Sequence, residues 1–313
     1  MRPLFGYHLQ SFDYSGVEAD GLFEHVAGLV GRIESLGFGL VTVMDHVHQI
    51  RDVGPVDAPI LEAYGTLAGI AARTSRIQLC TLVTGVTYRN PALVAKMVTT
   101  LDVISGGRAI LGLGAAWAEG EHHSYGYDFP PIGERMDRLD EALSICRLMF
   151  TQERATFSGR YYRVESALNR PRPIRSHGVP ILVGGGGEQR TLRLVSRHAD
   201  YSHWVPLGME ALRHKIELVE RYCGEIGRDP ATITRLMHAP VLLADTQRES
   251  EARLAALPPE RRLAMVAASP ARAAEILAEY VDAGFGGFTF SNAMLPPDQL
   301  DLAAEVIRLV GDV

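Results

Sequence analysis

Cysteine is scarce in this chain, tryptophan scarcer still, and basic residues are outnumbered by acidic ones. The three cysteines, Cys80, Cys146 and Cys223, are far apart and form no CxxC pair. They can build neither a disulfide framework nor a zinc knuckle, so buried free thiols are expected. With 31 Lys and Arg against 37 Asp and Glu, the formal net charge is −6. A nucleic-acid partner needs a basic face to displace counterions, and this balance argues against one. No apolar run approaches the roughly 18 residues of a membrane span, and the start MRPLFGYHLQ lacks a basic-then-apolar leader. The expectation is a soluble, cytoplasmic protein with no membrane partner.

What is present is an alternation. Short apolar runs alternate with longer amphipathic stretches, the grammar of βαβ units and a parallel sheet. The strand candidates are Pro3 to Leu9, Leu40 to Met44, Ile77 to Thr84, Ala109 to Leu113, Ile181 to Val183, Ala199 to Val205, Thr234 to Leu243 and Gly287 to Phe290. Eight such runs suit a single closed (β/α)8 TIM barrel spanning 1–313 better than an open doubly wound sheet. Asn90-Pro91 and Ser269-Pro270 read as helix starts, with Gly106 and Gly284 as stops. Three segments break the alternation: a long connection from Ala115 to Ile132 after strand four, a hairpin from Ala155 to Glu165 before strand five, and a charged excursion from Thr246 to Ala268 after strand seven.

In a barrel of this kind the chemistry sits at the C-terminal ends of the strands. The residues found there are His8 and Gln10, Asp45 to His48, Thr84 to Tyr88, Gly114 to Trp117, Gly184 to Glu188, His203-Trp204 and Ser291-Asn292. They include no paired carboxylates, which weakens a glycosidase reading. His46-Val47-His48 has the spacing of a metal pair, but no matching lysine, histidine and aspartate set follows the later strands. A metal-dependent hydrolase is therefore disfavoured. GLGAAW and the glycine tetrad both lack the third glycine of GxGxxG, against a nicotinamide Rossmann site. His46, beside Asp45, is either a histidine satisfied by its neighbours or a group placed to pass a proton. The tetrad, Gly184 to Gly187, is either a tight strand-to-helix turn or a backbone cradle for an anion.

Asp45-His46 after strand two, the segment VTGVTYRNPALVAKMVTTLDVISGGRAILGLGAAWAEGEHHSYGYDFPPIGERMDRLDEAL from Val83 to Leu143, and PILVGGGGEQRTLRLV together resemble the bacterial-luciferase-like superfamily. Within it, they are most similar to the F420-dependent oxidoreductases. The resemblance implies a deazaflavin at the strand ends, with its phosphate on Gly184, Gly185, Gly186 and Gly187 at the start of a helix opening at Glu188. It also implies a non-proline cis peptide at Leu82-Val83 behind the ring. Thr84, Gly114, Ala115 and Ala116 would line the ring, and Asp45 would contact it. Hydride would pass between C5 of coenzyme F420 and a carbonyl, imine or alkene carbon, with His46 as proton donor or acceptor. His8, Trp117 and Trp204 would face the small-molecule substrate.

The resemblance has gaps. Sugar-phosphate and alcohol dehydrogenases of the group carry a tryptophan where this chain has Ile50 and a glutamate where it has Trp117. Many also have Asn where it has Ala118. Those substrates, and a two-residue acid/base mechanism, are put in doubt. An FMN-dependent monooxygenase of the same superfamily is the alternative. Arg51, Arg89 and Arg190 are possible partners for the acidic F420 tail, and a homodimer is implied by resemblance alone.

Overall fold

The computed structural model describes residues 2–257, 259–262 and 265–311. Eight parallel strands close on themselves: β1 (Leu4–Leu9), β2 (Leu40–Val43), β3 (Gln78–Thr81), β4 (Ala109–Gly114), β5 (Ile181–Gly184), β6 (Tyr201–Trp204), β7 (Thr234–His238) and β8 (Gly287–Ser291). Each pairs with the next, and β8 returns to β1 through Leu4↔Gly287 to His8↔Ser291. This is the closed barrel expected from the eight apolar runs. A short extension, Thr84–Gly85, continues the third run and pairs with the end of β4.

Two apolar layers hold the barrel. Leu40, Cys80, Ile110, Leu182 and Leu236 pack inside it at the N-terminal end. A far larger shell, including Val41, Val43, Leu79, Leu111, Val183 and Trp204, lies between the strands and the helices. Alternate residues of a strand point to opposite faces, so the lumen and the shell are read from one run at period two. The helix starts follow the capping grammar. Asn90 accepts from the Ala92 N–H at 2.9 Å ahead of the helix Pro91–Ser105, which Gly106 ends at φ +66°.

The three irregular segments resolve into structure. Arg154–Ser158 and Arg163–Leu168 form the antiparallel hairpin, and the carboxylate of Glu141 accepts N–H bonds from Arg160, Tyr161 and Tyr162 in its loop. The connection after β4 contains a helix, Glu119–Tyr125. The seventh run corrects the expectation of one continuous strand over Thr234 to Leu243. Ala239 makes the last bond to the barrel, donating to Thr289; Pro240 has no N–H to continue the ladder. The chain then leaves as Val241–Leu243, which pairs in parallel with Val266–Ala268 at the end of the excursion. Between them lie the helices Gln247–Ala256 and Pro259–Arg262; residues 258, 263 and 264 of the excursion fall outside the described residues.

Candidate active site

Two adjoining cavities open at the C-terminal end of the barrel. The first, about 330 Å³, is bounded by Asp45, His46, Leu82, Val83, Gly114 to Trp117, Glu121 and Gly184-Gly185. The second, about 510 Å³, runs from His8 and Met44 past Ile50 and Trp117 to Leu243 and Leu295. His46, Leu82, Trp117, Val205 and His238 border both.

His46 follows β2 and is oriented from a distant part of the chain. Its Nδ1–H donates to Glu121 Oε1 at 2.6 Å, while the Val47 N–H donates to Oε2 at 3.1 Å. The Tyr88 hydroxyl also donates to Oε1. Burial pushes the Glu121 carboxyl upward, but the His46 bond and charge, with the Tyr88 and Val47 bonds, outweigh it and hold the group below its ordinary value. Glu121 is therefore an ionised acceptor, which assigns the His46 proton to Nδ1 and leaves Nε2 with no partner among the described residues. A carboxylate that fixes the imidazole tautomer while the other ring nitrogen meets substrate is the arrangement of a proton-transferring histidine.

Glu121 reaches this position because its helix is clamped. His122, the next residue, is held at both ring nitrogens: Nδ1–H donates to Ala118 O at 2.7 Å, and Nε2 bonds the Thr87 hydroxyl at 2.6 Å. Its ring stacks on Tyr88 with centroids 4.6 Å apart. The Tyr88 phenol is pushed up by burial and by the Glu121 charge, so it remains a donor. Trp117 stands edge-on to His46, centroids 5.4 Å apart, and is largely exposed at the mouth. Its direction is set by Ala116, which adopts φ +61°, a left-handed conformation uncommon for alanine.

Asp45 is buried and gripped by Arg89, with Nη1 to Oδ2 at 2.7 Å and Nη2 to Oδ1 at 3.0 Å. Burial pushes its carboxyl upward and Arg89 offsets part of that push. Arg89 also meets Glu62 at 2.8 Å, so it is already committed. Arg190 is likewise paired, with Asp137.

The peptide Leu82-Val83 is cis, as expected. Val83 lies between two glycines: a Cβ at Gly114 would come within 2.6 Å of its side chain, and one at Gly184 within 2.9 Å. Those two glycines are close-packing requirements of the cavity wall.

Three histidines form the floor. His8 Nδ1 bonds Thr42 Oγ1 at 2.8 Å, and Thr289 Oγ1 bridges His203 Nε2 and His238 Nδ1 at 2.9 Å each. Burial lowers all three: His8 and His203 well below their usual value, His238 to about 4. They are neutral at pH 7. No group of three or more His, Cys, Asp or Glu among the described residues could hold a metal ion.

The glycine tetrad is more than a turn. Gly185 has φ +106° and donates back to His203 O at 3.0 Å, ending the barrel ladder. The N–H groups of Gly186, Gly187 and Glu188 have no partner among the described residues. Beside them Lys215 Nζ donates to Gly186 O at 2.7 Å and meets Glu188 at 3.0 Å. The helix begins later than expected: Gly187 O accepts from Leu192 N, so Glu188 belongs to a wide turn before Thr191–His198.

The remaining sequence candidates divide cleanly. His8, Leu82, Val83, Gly114, Ala115, Ala116, Gly184 and Gly185 line the cavities; Gly186, Gly187 and Glu188 lie beyond their lining. Thr84 does not line either. Its hydroxyl is buried against Thr81 and Tyr64, a support behind the wall. Trp204 is also corrected, because it faces the outer shell, edge-on to Phe285 at 5.6 Å, while His203 one residue earlier faces the lumen. Glu121, Tyr88, His238 and Lys215 are additions. Glu121 lies in the segment that carried the resemblance, and its pairing with His46, 75 residues away in the chain, is a tertiary fact.

The model of the luciferase-like monooxygenase family matches residues 5–295. The chain belongs to that family. Among its relatives, the F420-dependent glucose-6-phosphate dehydrogenase of Kineococcus radiotolerans is 34% identical over 297 residues, 85% of this chain and 86% of that one. A solved F420-dependent secondary alcohol dehydrogenase in complex with an F420-acetone adduct superposes with a TM-score of 0.81 at 22% identity, covering 99% of both chains. The EDTA monooxygenase of Chelativorans superposes with a TM-score of 0.85 at 16% identity, covering 100% of this chain and 94% of that one. The luciferase-like barrel is thus common to dehydrogenases and monooxygenases.

Proposed function

We propose that this chain, as a single domain over 1–313, is an F420-dependent oxidoreductase acting on a small organic molecule with a C=O, C=N or C=C bond. The observation that carries the reading is His46, locked by Glu121, with Nε2 unpartnered among the described residues and the residue lining both cavities. The relative from Kineococcus, named for F420, supports the cofactor assignment.

The residues present fit a deazaflavin. The free N–H groups of Gly186, Gly187 and Glu188, with Lys215 beside them, offer donors for a phosphate. Leu82, Val83 and Ala115 supply apolar wall for a flat ring. When bound there, coenzyme F420 supplies hydride exchange at C5. The protein's work is to orient the partners, exclude water and, at His46 Nε2, give or take the accompanying proton. Glu121 stabilises the imidazolium that forms when Nε2 holds that proton, and Tyr88 keeps the carboxylate in place.

Titration with oxidised F420, followed by quenching of its fluorescence, tests the assignment. Saturable quenching is expected; tight FMN binding without F420 binding would replace it with the monooxygenase reading. The proposal extends to a homodimer, supported by exposed Leu93, Val103 and Ile104 on the helix Pro91–Ser105, and light scattering should give twice the chain mass. Three free buried cysteines are in keeping with a reducing cytoplasm.

A further inference from the structure

The larger cavity is unlike the site a sugar phosphate would need. Most of the residues that line it are apolar, Met44, Ile50, Leu243, Met265, Phe290 and Leu295 among them, and no lysine or arginine occurs among the described residues that line it. Its carboxylate, Asp52, is exposed at the edge. The polar groups of the floor are largely spent on one another: His8 on Thr42, Thr289 between His203 and His238, and Ser291 on Gln10. Of the three histidines lining this cavity, His8 and His238 are neutral at pH 7, because burial lowers both, and the third, His46, is already paired with the Glu121 carboxylate. A phosphate dianion here would lose its hydration and meet no lysine or arginine among the described lining residues, and a polyol would find few free partners. A mostly apolar molecule loses little by entering, and a single polar atom on it can meet a histidine ring nitrogen, of which His46 Nε2 is the one backed by a carboxylate.

We propose that this cavity is the substrate chamber and that it takes an uncharged, predominantly apolar carbonyl or enone, held with its oxygen towards His46, and excludes sugar phosphates. The far wall sets this preference. Leu243 and Met265 belong to the strand that leaves the barrel at Pro240 and to the excursion that returns to pair with it. The chamber is therefore shaped by the segment after β7 rather than by the barrel rim alone.

The inference rests on the oxidoreductase reading but is tested apart from it. Saturation-transfer NMR on the cofactor-free chain would use cyclohexanone, 2-cyclohexen-1-one, 2-decanone and glucose 6-phosphate as probes, with F420 quenching measured separately. Ketone binding is expected, strongest for 2-decanone, with none for glucose 6-phosphate. Leu243→Asp should weaken 2-decanone at least tenfold with F420 affinity unchanged. Val53→Asp, at a partly exposed position lining the same cavity, should act in the same direction without threatening the core. Glucose 6-phosphate binding as well as or better than the ketones would overturn the proposal, and so would failure of every ketone to bind. Ketone binding without F420 quenching would overturn the cofactor assignment alone.

Discussion

The two cavities at the barrel mouth are built on different principles. The first is made of strand ends, with glycines packed against Val83, a cis peptide, and a polar network in which Glu121, Tyr88, Asp45 and Arg89 all have partners. The second is bounded on one side by the barrel floor and on the other by side chains from an excursion, with few hydrogen bonds aimed into it. A site that must hold one invariant molecule is specified by backbone and by buried charge pairs. A site that selects among molecules can be changed by replacing apolar residues on an inserted segment, because hydrophobic contact is not directional.

If this division holds, substitutions on the two sides separate turnover from binding. The largest effect should come from His46→Ala, with turnover falling by about 10²- to 10⁴-fold while F420 quenching is retained; steady-state kinetics beside a fluorescence titration will show it. Glu121→Gln removes the charge that holds His46 and should cost about 10- to 100-fold in kcat, with a smaller change in KM, as supporting hydrogen-bond partners commonly do. A rise in KM with kcat unchanged would show that Glu121 does not act through His46. Gly187→Val tests the cradle: a Cβ there meets Thr191 Oγ1 at 2.9 Å. F420 affinity should weaken about tenfold, a loss of about 1.4 kcal/mol, with binding of apolar ketones unaffected.

The smallest effect concerns acid stability. His8, His203 and His238 have lowered values in the folded chain, whereas in the unfolded chain they titrate near 6.5. The unfolded state therefore binds more protons between those limits. Their contribution is complete above about pH 6.5 and is lost as pH falls towards about 4, the value for His238. Thermal melts should give a lower Tm at pH 4.5 than at pH 7, and His238→Gln should shrink the difference. An unchanged difference would show that the histidine floor is not what acid attacks.

Much of the architecture was legible because each barrel strand is a short apolar run bounded by polar or glycine residues. Those bounds were accurate to within a few residues except where Pro240 diverted the seventh run. Asp45, His46 and the glycines were legible as strand-end residues, and the cis peptide through the family resemblance. Trp204 was misplaced by a single residue of strand parity, which exchanges lumen for shell. The doubt over a two-residue acid/base mechanism arose from Trp117 standing where a glutamate was expected. The structure brings Glu121 to His46 from four positions further along.

The sequence by itself determined that eight strands would alternate with helices and that a histidine, an aspartate and a glycine run would sit at their ends, because periodicity and turn residues act locally. Only the tertiary structure decided that Glu121 would orient His46, that Arg89 would be spent on Asp45, and that an excursion would wall the second cavity. Those pairings join residues tens of positions apart, and their geometry exists only once barrel closure has fixed the distances between strand ends.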